Sequence, residues 1–293
     1  MLYPLLFTPI YKKMIWGSES WDISCRPDEM SIIENGPLAN TAFNDAIAHN
    51  PAAFLGTRVC RLYEKKGFPL LVKIIEANDD LSVQVHPGDE YAAARGFKDS
   101  GKSEMWYIIN APEGANLIVG LTKNATPEKL LKDPMPYLKK LPVKKGDMID
   151  IPAGLVHAIT KGITLAEVQQ NSDITFRLYD YGRKSPDGSM RRLHLKDGIA
   201  VTDFNGIHST ETVKSDTVSN PNFTVVKQKI DGKFSEKSDT ETFTIFTCVE
   251  GFCEILTDSP LPCVKLSYGR SVFIPAALGP YTVAGGAILL KSC

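Results

Sequence analysis

One segment decides the fold, and it reads Lys145-Gly146-Asp147-Met148-Ile149-Asp150-Ile151-Pro152-Ala153. The Gly-Asp pair favours a turn before the apolar run, and Pro152 ends the run because proline cannot donate a hydrogen bond inside a sheet. Other short apolar or alternating runs, separated by Gly, Pro, Asn and Asp, occupy residues 69–75, 80–85, 105–109, 116–119 and 163–168. This series predicts antiparallel β-structure, a barrel or a sandwich.

The same segment has an echo near the end of the chain, Tyr268-Gly269-Arg270-Ser271-Val272-Phe273-Ile274-Pro275-Ala276. The comparison also sets residues 103–114 opposite residues 240–251, and it predicts that each half of the chain contains one β-unit. Chance similarity is the competing interpretation, because the matched segment is short.

Helices are predicted in only two places, residues 41–50 and residues 126–131. In the second, Thr126 can cap the helix and Pro127 occupies its first position, so an insertion between strands is expected. Residues 209–222 have few bulky apolar side chains and predict a linker. The expected domains are therefore a catalytic domain over 1–208 and a second domain over 223–293.

Gln84 and His86 lie in the run Ser82-Val83-Gln84-Val85-His86-Pro87. Side chains two residues apart on a strand project to the same face, so both can hold one ion, while Val83 and Val85 face the core. Taken alone, a histidine in a strand is more often a hydrogen-bonding partner than a ligand, and a His-Pro pair can simply end a strand.

Two further ligands complete a candidate metal site. Glu104 lies in a β-branched and aromatic run, residues 102–109, that would supply a carboxylate if its strand lay beside the first, and His157 follows Ile151-Pro152-Ala153-Gly154. Two nitrogens and two oxygens without a thiolate suit zinc with an open position for water or substrate. In the echo Pro280 takes the place of His157, so the second β-unit is expected to lack metal.

Composition narrows the class of protein. The 293 residues include 43% hydrophobic residues, enough for a proper core, and 33 basic against 34 acidic side chains argue against nucleic acid or an anionic membrane as partner. A small substrate is expected, and the oligomeric state is left open. The six cysteines form no C-x-x-C pair and there is no secretory signal, which together predict a reduced, cytoplasmic protein.

Several segments in sequence order resemble type I mannose-6-phosphate isomerases of the short bacterial kind, within the cupin superfamily. Besides the metal segments, the matching pieces are Ser20-Trp21-Asp22-Ile23-Ser24, residues 69–75, residues 101–107, and the block Gln169-Gln170-Asn171-Ser172-Asp173-Ile174-Thr175-Phe176-Arg177-Leu178-Tyr179-Asp180-Tyr181-Gly182-Arg183. The chain departs from the family pattern at Trp16-Gly17, which runs almost directly into residues 18–21. Because of this shortening, the resemblance does not predict the N-terminal wall of the substrate cleft or the range of substrates.

The resemblance implies a mainly β fold of two cupin-like (jelly-roll) β-barrels with a few short helices. It also implies zinc-dependent interconversion of mannose 6-phosphate and fructose 6-phosphate, with one zinc held by Gln84, His86, Glu104 and His157.

Isomerisation through an enediol needs a base, stabilisation of charge on the sugar oxygens, and a hold on the phosphate. Arg177, whose family counterpart faces the site, is the candidate for charge stabilisation, and Glu167 is the candidate base with Asp173 as runner-up. A structural ion pair is the competing role for Arg177. The candidates for contacts to the substrate are Ser82, Lys102, Asp173 and Lys73, with Arg183 as a further cleft residue.

Two other functions are compatible with the metal residues. The first is a non-catalytic sugar-phosphate-binding cupin, which the Glu167–Arg183 block disfavours. The second is a cupin oxygenase, which generally uses iron with several histidines, whereas Gln84 and Glu104 make the present site rich in oxygen ligands.

Overall fold

The fold is mainly β, and the computed structural model describes residues 1–185, 187–205 and 216–293. Its strands are β1 (Leu5–Thr8), β2 (Ile10–Met14), β3 (Gly17–Ile23), β4 (Cys25–Arg26), β5 (Glu29–Met30), β6 (Ile32–Ile33), β7 (Leu70–Ala77), β8 (Val83–Val85), β9 (Glu104–Asn110), β10 (Asn116–Leu121), β11 (Leu138–Pro142), β12 (Met148–Ile151), β13 (His157–Ala158), β14 (Thr164–Gln170), β15 (Phe176–Tyr179), β16 (Thr217–Ser219), β17 (Thr224–Lys237), β18 (Thr244–Thr257), β19 (Val264–Ser267), β20 (Ser271–Ile274) and β21 (Pro280–Ser292). Its helices are α1 (Phe43–His49), α2 (Pro51–Leu55), α3 (Cys60–Lys66), α4 (Asp89–Ala94), α5 (Pro127–Lys132) and α6 (Leu195–Val201), with 3-10 turns at Gly36–Leu38 and Met135–Tyr137.

Both predicted helical regions are helical, and the Thr126 hydroxyl caps α5 by accepting a hydrogen bond from the Lys129 backbone N–H. The prediction that helices are confined to these two places is wrong, because α2, α3, α4 and α6 lie elsewhere. These helices have five to seven residues, and α4 buries only Ala92. A helix that short shows too little of the 3.6-residue pattern to be found from sequence.

The chain divides into two compact units. The C-terminal unit comprises Met1–Lys12, Ser20–Ile74 and the described residues of Ser215–Cys293, and the central unit comprises Lys13–Glu19 and the described residues of Ile75–Lys214. Most of the first 74 residues therefore group with the C-terminal strands. The predicted linker lies partly outside the described residues, and Thr217–Ser219 within it form β16.

The sheets are antiparallel and open. The C-terminal unit contains the strand order β16-β17-β21-β18-β20-β1-β6, with β19 paired to β18. The two other large sheets have the orders β11-β10-β13-β8-β15 and β12-β9-β14-β7-β3-β2. None of these orders closes on itself, so the mainly β fold is confirmed while the two closed barrels are not.

Apolar side chains of the central unit form two buried clusters. One contains Trp106, Ile108, Ile149 and Ile151 from β9 and β12. The other contains Val83 and Val85, both fully buried, together with apolar residues of β15 and α6. The predicted inward orientation of Val83 and Val85 is thus confirmed, and Gln84 between them is left to the opposite face.

The sequence echo is also a structural one. β12 and β20 have the same length and the same offset from their glycines, and Gly146 and Gly269 both adopt positive φ, 92° and 78°. Ile151 pairs with Glu104 and Ile274 pairs with Thr244, so Thr244 is the structural counterpart of Glu104. The predicted alignment of residues 103–114 with 240–251 is therefore displaced by three positions.

Candidate metal centre

Strand β8 carries the centre of a polar row. Gln84 lies opposite His157 on β13 and opposite Arg177 on β15, and residues directly opposite on neighbouring strands project to one face. His86 follows β8 directly and is 1% exposed. The alternation that buries Val83 and Val85 therefore places Gln84, His157 and Arg177 side by side.

Glu104 reaches this row from a different sheet. It is the first residue of β9, which pairs with β12 and β14 and not with β8. The expectation that its strand lies beside the Gln-x-His strand is wrong. The carboxylate still meets the imidazoles, because side chains that face one another between two sheets need no shared ladder of hydrogen bonds.

The three donor groups converge closely. The Nε2 atoms of His86 and His157 are 3.2 Å apart, and Glu104 Oε1 and Oε2 lie 3.1 Å from His86 Nε2 and 3.8 Å from His157 Nε2. All three residues are 1% exposed. Ligands at about 2.05 Å from a tetrahedral zinc lie about 3.3 Å apart, so the donor spacing fits a metal ion of this kind.

Main-chain carbonyls orient both imidazoles. His86 Nδ1 lies 2.8 Å from the Ile174 carbonyl oxygen and His157 Nδ1 lies 2.8 Å from the Leu155 carbonyl oxygen. Since a carbonyl oxygen only accepts, each Nδ1 carries the proton and each Nε2 directs its lone pair to the centre of the cluster, where a cation could accept it. This outer hydrogen bond is the usual support of a metal-binding histidine.

Burial keeps the two imidazoles in the neutral, metal-binding form. Burial, and after it the neighbouring His86, lower the pKa of His157 to about 3. Burial and the Lys102 ammonium lower the pKa of His86 as well. Burial alone would raise the pKa of Glu104, but Lys102 and the two histidines outweigh it and hold that pKa well below its usual range.

Two of the residues predicted to contact substrate lie within the site. Lys102 is 4% exposed, and its ammonium lies 2.9 Å from Glu104 Oε1 and 3.3 Å from His86 Nε2. The Ser82 hydroxyl donates to Gln84 Oε1 at 3.2 Å, and the Gln84 amide nitrogen lies 3.4 Å from His157 Nε2.

Glu167 is joined to the cluster through an indole that sequence reasoning did not assign to the site. Trp106 Nε1 donates to Glu167 Oε2 at 2.9 Å and to Glu104 Oε2 at 3.1 Å. Glu167 is 3% exposed and lies opposite Trp106 in the β14–β9 register. Trp106 is two residues after Glu104, so strand alternation alone could have placed it on this face.

The remaining predicted residues are less closely tied to the cluster. Asp173 is exposed, and its backbone N–H donates to Asp99 Oδ2 at 2.9 Å. Lys73 is a buried residue of the C-terminal unit, with its ammonium 5.0 Å from the centre of the Trp21 ring. Arg177 is half-buried, and its Nε is buried without a hydrogen-bond partner among the described residues.

A buried cluster of two neutral imidazoles and one carboxylate, held by antiparallel strands, defines a β-protein of the cupin class with a site that could hold a metal ion. No helix among the described residues has the length and hydropathy needed to span a bilayer.

Comparisons with known proteins give the family. A family model described as the catalytic domain of type I phosphomannose isomerase matches residues 8–115, and one described as the cupin domain of mannose-6-phosphate isomerase matches residues 214–293. Mannose-6-phosphate isomerase ManA of Bacillus subtilis is 33% identical, with 99% of this chain and 98% of the relative covered. A mannose-6-phosphate isomerase of Streptococcus mutans is 35% identical over 79% of this chain and 80% of its own. The chain belongs to the type I mannose-6-phosphate isomerase family.

The fold agrees with this assignment. The crystal structure of a mannose 6-phosphate isomerase from Bacillus subtilis superposes with a TM-score of 0.88 at 28% identity, and all of both chains is covered. The predicted family is thereby confirmed, and the cupin domain lies where the echo predicted the second β-unit.

Proposed function

We propose that this chain is a zinc-dependent aldose-ketose isomerase that interconverts mannose 6-phosphate and fructose 6-phosphate, with one zinc per chain. The observation that carries the proposal is the buried convergence of His86, Glu104 and His157 in a chain with full-length relatives of that activity. The central unit would hold the catalytic site. The C-terminal unit has Thr244 and Pro280 where the central unit has Glu104 and His157, which supports a structural role for it.

The proposed ligands are Gln84, His86, Glu104 and His157. Gln84 would bind through its amide oxygen, which the hydrogen-bond pattern places toward Ser82. Rotation of the terminal amide by half a turn exchanges its oxygen and nitrogen, so Oε1 then faces His157 and the amide donates to the Ser82 hydroxyl.

The bound ion would supply a Lewis acid for the sugar oxygens. Glu167 is the proposed base that moves the proton between the two carbons of the enediol. The Trp106 N–H fixes one of its oxygens and so limits the positions that the carboxylate can adopt. Arg177 lies beside Gln84 in register, where its guanidinium can stabilise negative charge on substrate.

Four residues are proposed to contact the substrate. Lys102 and Ser82 have support from their positions beside Glu104 and Gln84. Asp173 adjoins Ile174, whose carbonyl orients His86. The position of Lys73 over Trp21 adds nothing to the sequence argument for it.

The test is fructose 6-phosphate formation from mannose 6-phosphate, measured in a coupled assay before chelation, after chelation and after zinc is restored. Activity should disappear on chelation and return with zinc. Magnesium added instead should fail, because it prefers six oxygen ligands. Full turnover by the metal-free protein would refute the zinc mechanism, and sugar-phosphate binding without any turnover would favour the non-catalytic cupin.

A further inference from the structure

Gln169 is a fully buried amide next to the candidate metal centre. It lies opposite Glu104 in the β14–β9 register, so both side chains project to one face of the sheet. Its Nε2 donates to the backbone carbonyls of Gln170 and Ser172, each at 2.7 Å. Both hydrogens of the amide are therefore used on main-chain acceptors at the end of β14.

The orientation of this amide is determined by its neighbours. If its oxygen and nitrogen were exchanged, Oε1 would face two carbonyl oxygens, and neither of them could donate to it. In the observed orientation Oε1 is buried and accepts no hydrogen bond from the described residues. Gln169 therefore acts on its surroundings through the two hydrogen bonds that it donates.

Gln169 fixes the start of the connection between β14 and β15, which comprises residues 171–175. In this connection, Ile174 supplies the carbonyl oxygen that lies 2.8 Å from His86 Nδ1. The pairing of β15 with β8 begins at Phe176, so the ladder of the sheet does not itself place Ile174. The position of the Ile174 carbonyl therefore depends on contacts inside the connection.

Ser172 carries the effect of Gln169 to Ile174. Its carbonyl accepts from Gln169, and its hydroxyl accepts from the Ile174 backbone N–H at 3.4 Å. The same hydroxyl donates to the Ser100 carbonyl at 2.8 Å. Ser172 is fully buried, so water does not compete for these groups. One buried residue thus links the Gln169 amide to the residue that orients His86.

The connection is also tied to the segment that leads into Glu104. The Gln170 side chain accepts a hydrogen bond from the Ser103 backbone N–H at 2.9 Å. The Asp173 backbone N–H donates to Asp99 Oδ2, also at 2.9 Å. The candidate ligand carboxylate and the carbonyl that orients the neighbouring imidazole therefore belong to one hydrogen-bonded network.

We propose that Gln169 is a positioning residue of the metal centre, which sets the Ile174 carbonyl and through it the direction of the His86 Nε2 lone pair. The proposal rests on the proposed function, since that direction matters only if Nε2 binds an ion. His157 is positioned separately, because its Nδ1 is held by the Leu155 carbonyl two residues away. The two histidines therefore differ in what orients them, and this difference can be measured.

The test uses Gln169→Met, which keeps the length of the side chain and removes both donors. We expect the Kd for zinc, measured by competition with a chromophoric chelator, to rise about 10-fold, because contacts that orient a ligand histidine typically contribute that much. Isomerase activity should fall at limiting zinc and recover in excess zinc, with KM for mannose 6-phosphate changed less than about twofold. Gln228→Met, which removes an amide from β17, is the control and should change neither the Kd nor the activity.

Imidazole NMR separates this role from a general loosening of the fold. In protein with isotope-labelled histidine, the Nδ1–H signal of His86 should move upfield and exchange faster with water in Gln169→Met, because its hydrogen bond is weakened. The corresponding signal of His157 should stay where wild type has it. Both spectra are recorded with zinc and without zinc.

An unchanged zinc Kd or an unchanged His86 signal in a folded Gln169→Met protein would overturn the proposal, as would equal shifts of the His86 and His157 signals. If Gln169→Met does not fold, Gln169→Asn decides by the same two measurements, since it keeps the amide and shortens its reach. If wild type binds zinc and yet makes no fructose 6-phosphate, the proposed isomerase fails, while the zinc Kd and the two imidazole signals still decide the role of Gln169.

Discussion

His86 is the residue on which the proposed metal site depends most directly, because its Nε2 lies within 3.3 Å of Glu104, His157 and Lys102. We expect His86→Ala to weaken zinc binding more than about 100-fold and to reduce isomerase activity to background. Zinc per chain by elemental analysis and the coupled assay measure the two effects. The control is His49→Ala, an exposed histidine, which should change neither. Turnover retained by zinc-free His86→Ala would contradict the metal mechanism.

Arg177 is expected to act on substrate and not on the ion. Arg177→Ala should keep its zinc, while kcat falls about 100- to 1,000-fold because charge on the substrate oxygens loses its stabilising cation. Steady-state kinetics together with metal analysis separate the two roles. Arg95→Ala removes an exposed arginine of the same unit and should leave kcat unchanged. Equal kinetics for Arg177→Ala and wild type would remove Arg177 from the catalytic group.

Sequence could place Gln84 and His86 on one face because strand alternation is a strict rule with a period of two. It could not show that Glu104 comes from another sheet, since alternation says nothing about which sheets face each other. Trp106 was missed for a different reason. An indole in a strand usually serves packing, and only the structure shows its N–H shared between Glu104 and Glu167.

At the scale of elements, the pairing of strand β18 with β21 is irregular just before Gly251. The register with β21 shifts between Cys248 and Glu250, and Gly251 has a φ of 78°. A Cβ at this position would lie 2.1 Å from the Gly286 carbonyl oxygen. Position 251 therefore requires glycine for space as well as for conformation.

Gly251→Ala should lower the free energy of unfolding by about 2 kcal/mol more than Gly232→Ala. Gly232 on β17 also has a positive φ, 91°, but a Cβ there meets no atom within 4 Å. Both variants carry the left-handed strain of about 1–2 kcal/mol, and only the first also displaces a neighbouring strand. Urea denaturation compares them, and equal losses would show that the close approach contributes nothing.

The echo shows how far element prediction can go. Gly-x-x-x-x-Ile-Pro predicts β12 and β20 because glycine and proline are strong local signals at each end. The predicted alignment of the partner strands β9 and β18 is displaced by three residues. These strands have no such signal, and their register depends on contacts distant in sequence. The helices α2, α3, α4 and α6 were missed because each has only five to seven residues, too few to show a helical period in the sequence.

At the scale of the whole molecule, Asp22 couples folding to pH. Burial raises its pKa to about 6, although Arg270 and the Ser271 N–H oppose this. A raised folded-state pKa means that the protonated form stabilises the fold, fully below about pH 4 and progressively less as pH rises through about 6. The neighbouring charge that also contacts Arg270 is Glu34.

As pH rises from 4 to 7, we expect the free energy of unfolding of wild type to fall by up to about 3 kcal/mol relative to that of Asp22→Asn, because an amide cannot ionise. Denaturant unfolding of both proteins across this pH range measures the difference between their free energies of unfolding. Titrating groups that both proteins share cancel in this difference. Asp28→Asn, an exposed carboxylate, serves as the control and should follow wild type. If the difference in the free energy of unfolding between wild type and Asp22→Asn stays constant from pH 4 to 7, the prediction is contradicted.

The compact units could not be predicted from composition. Residues 20–74 precede the metal segments in sequence, and yet they group with strands more than 140 residues later. The pairing of β1 with β20, which joins Leu5 to Phe273, is one such long-range contact. Local signals predict the elements well, whereas the grouping of elements depends on which apolar faces meet after collapse.

The carbonyls that orient the two imidazoles belong to Leu155 and Ile174, and every residue type offers the same carbonyl. Substitutions at positions 155 and 174 therefore alter the surrounding packing without deleting the acceptor of either hydrogen bond. The orientation of the two imidazole rings therefore depends on the path of the backbone and not on the identity of the side chains at these two positions. Such a centre can be retained while much of the surrounding sequence changes, provided that the backbone at residues 155 and 174 keeps its path.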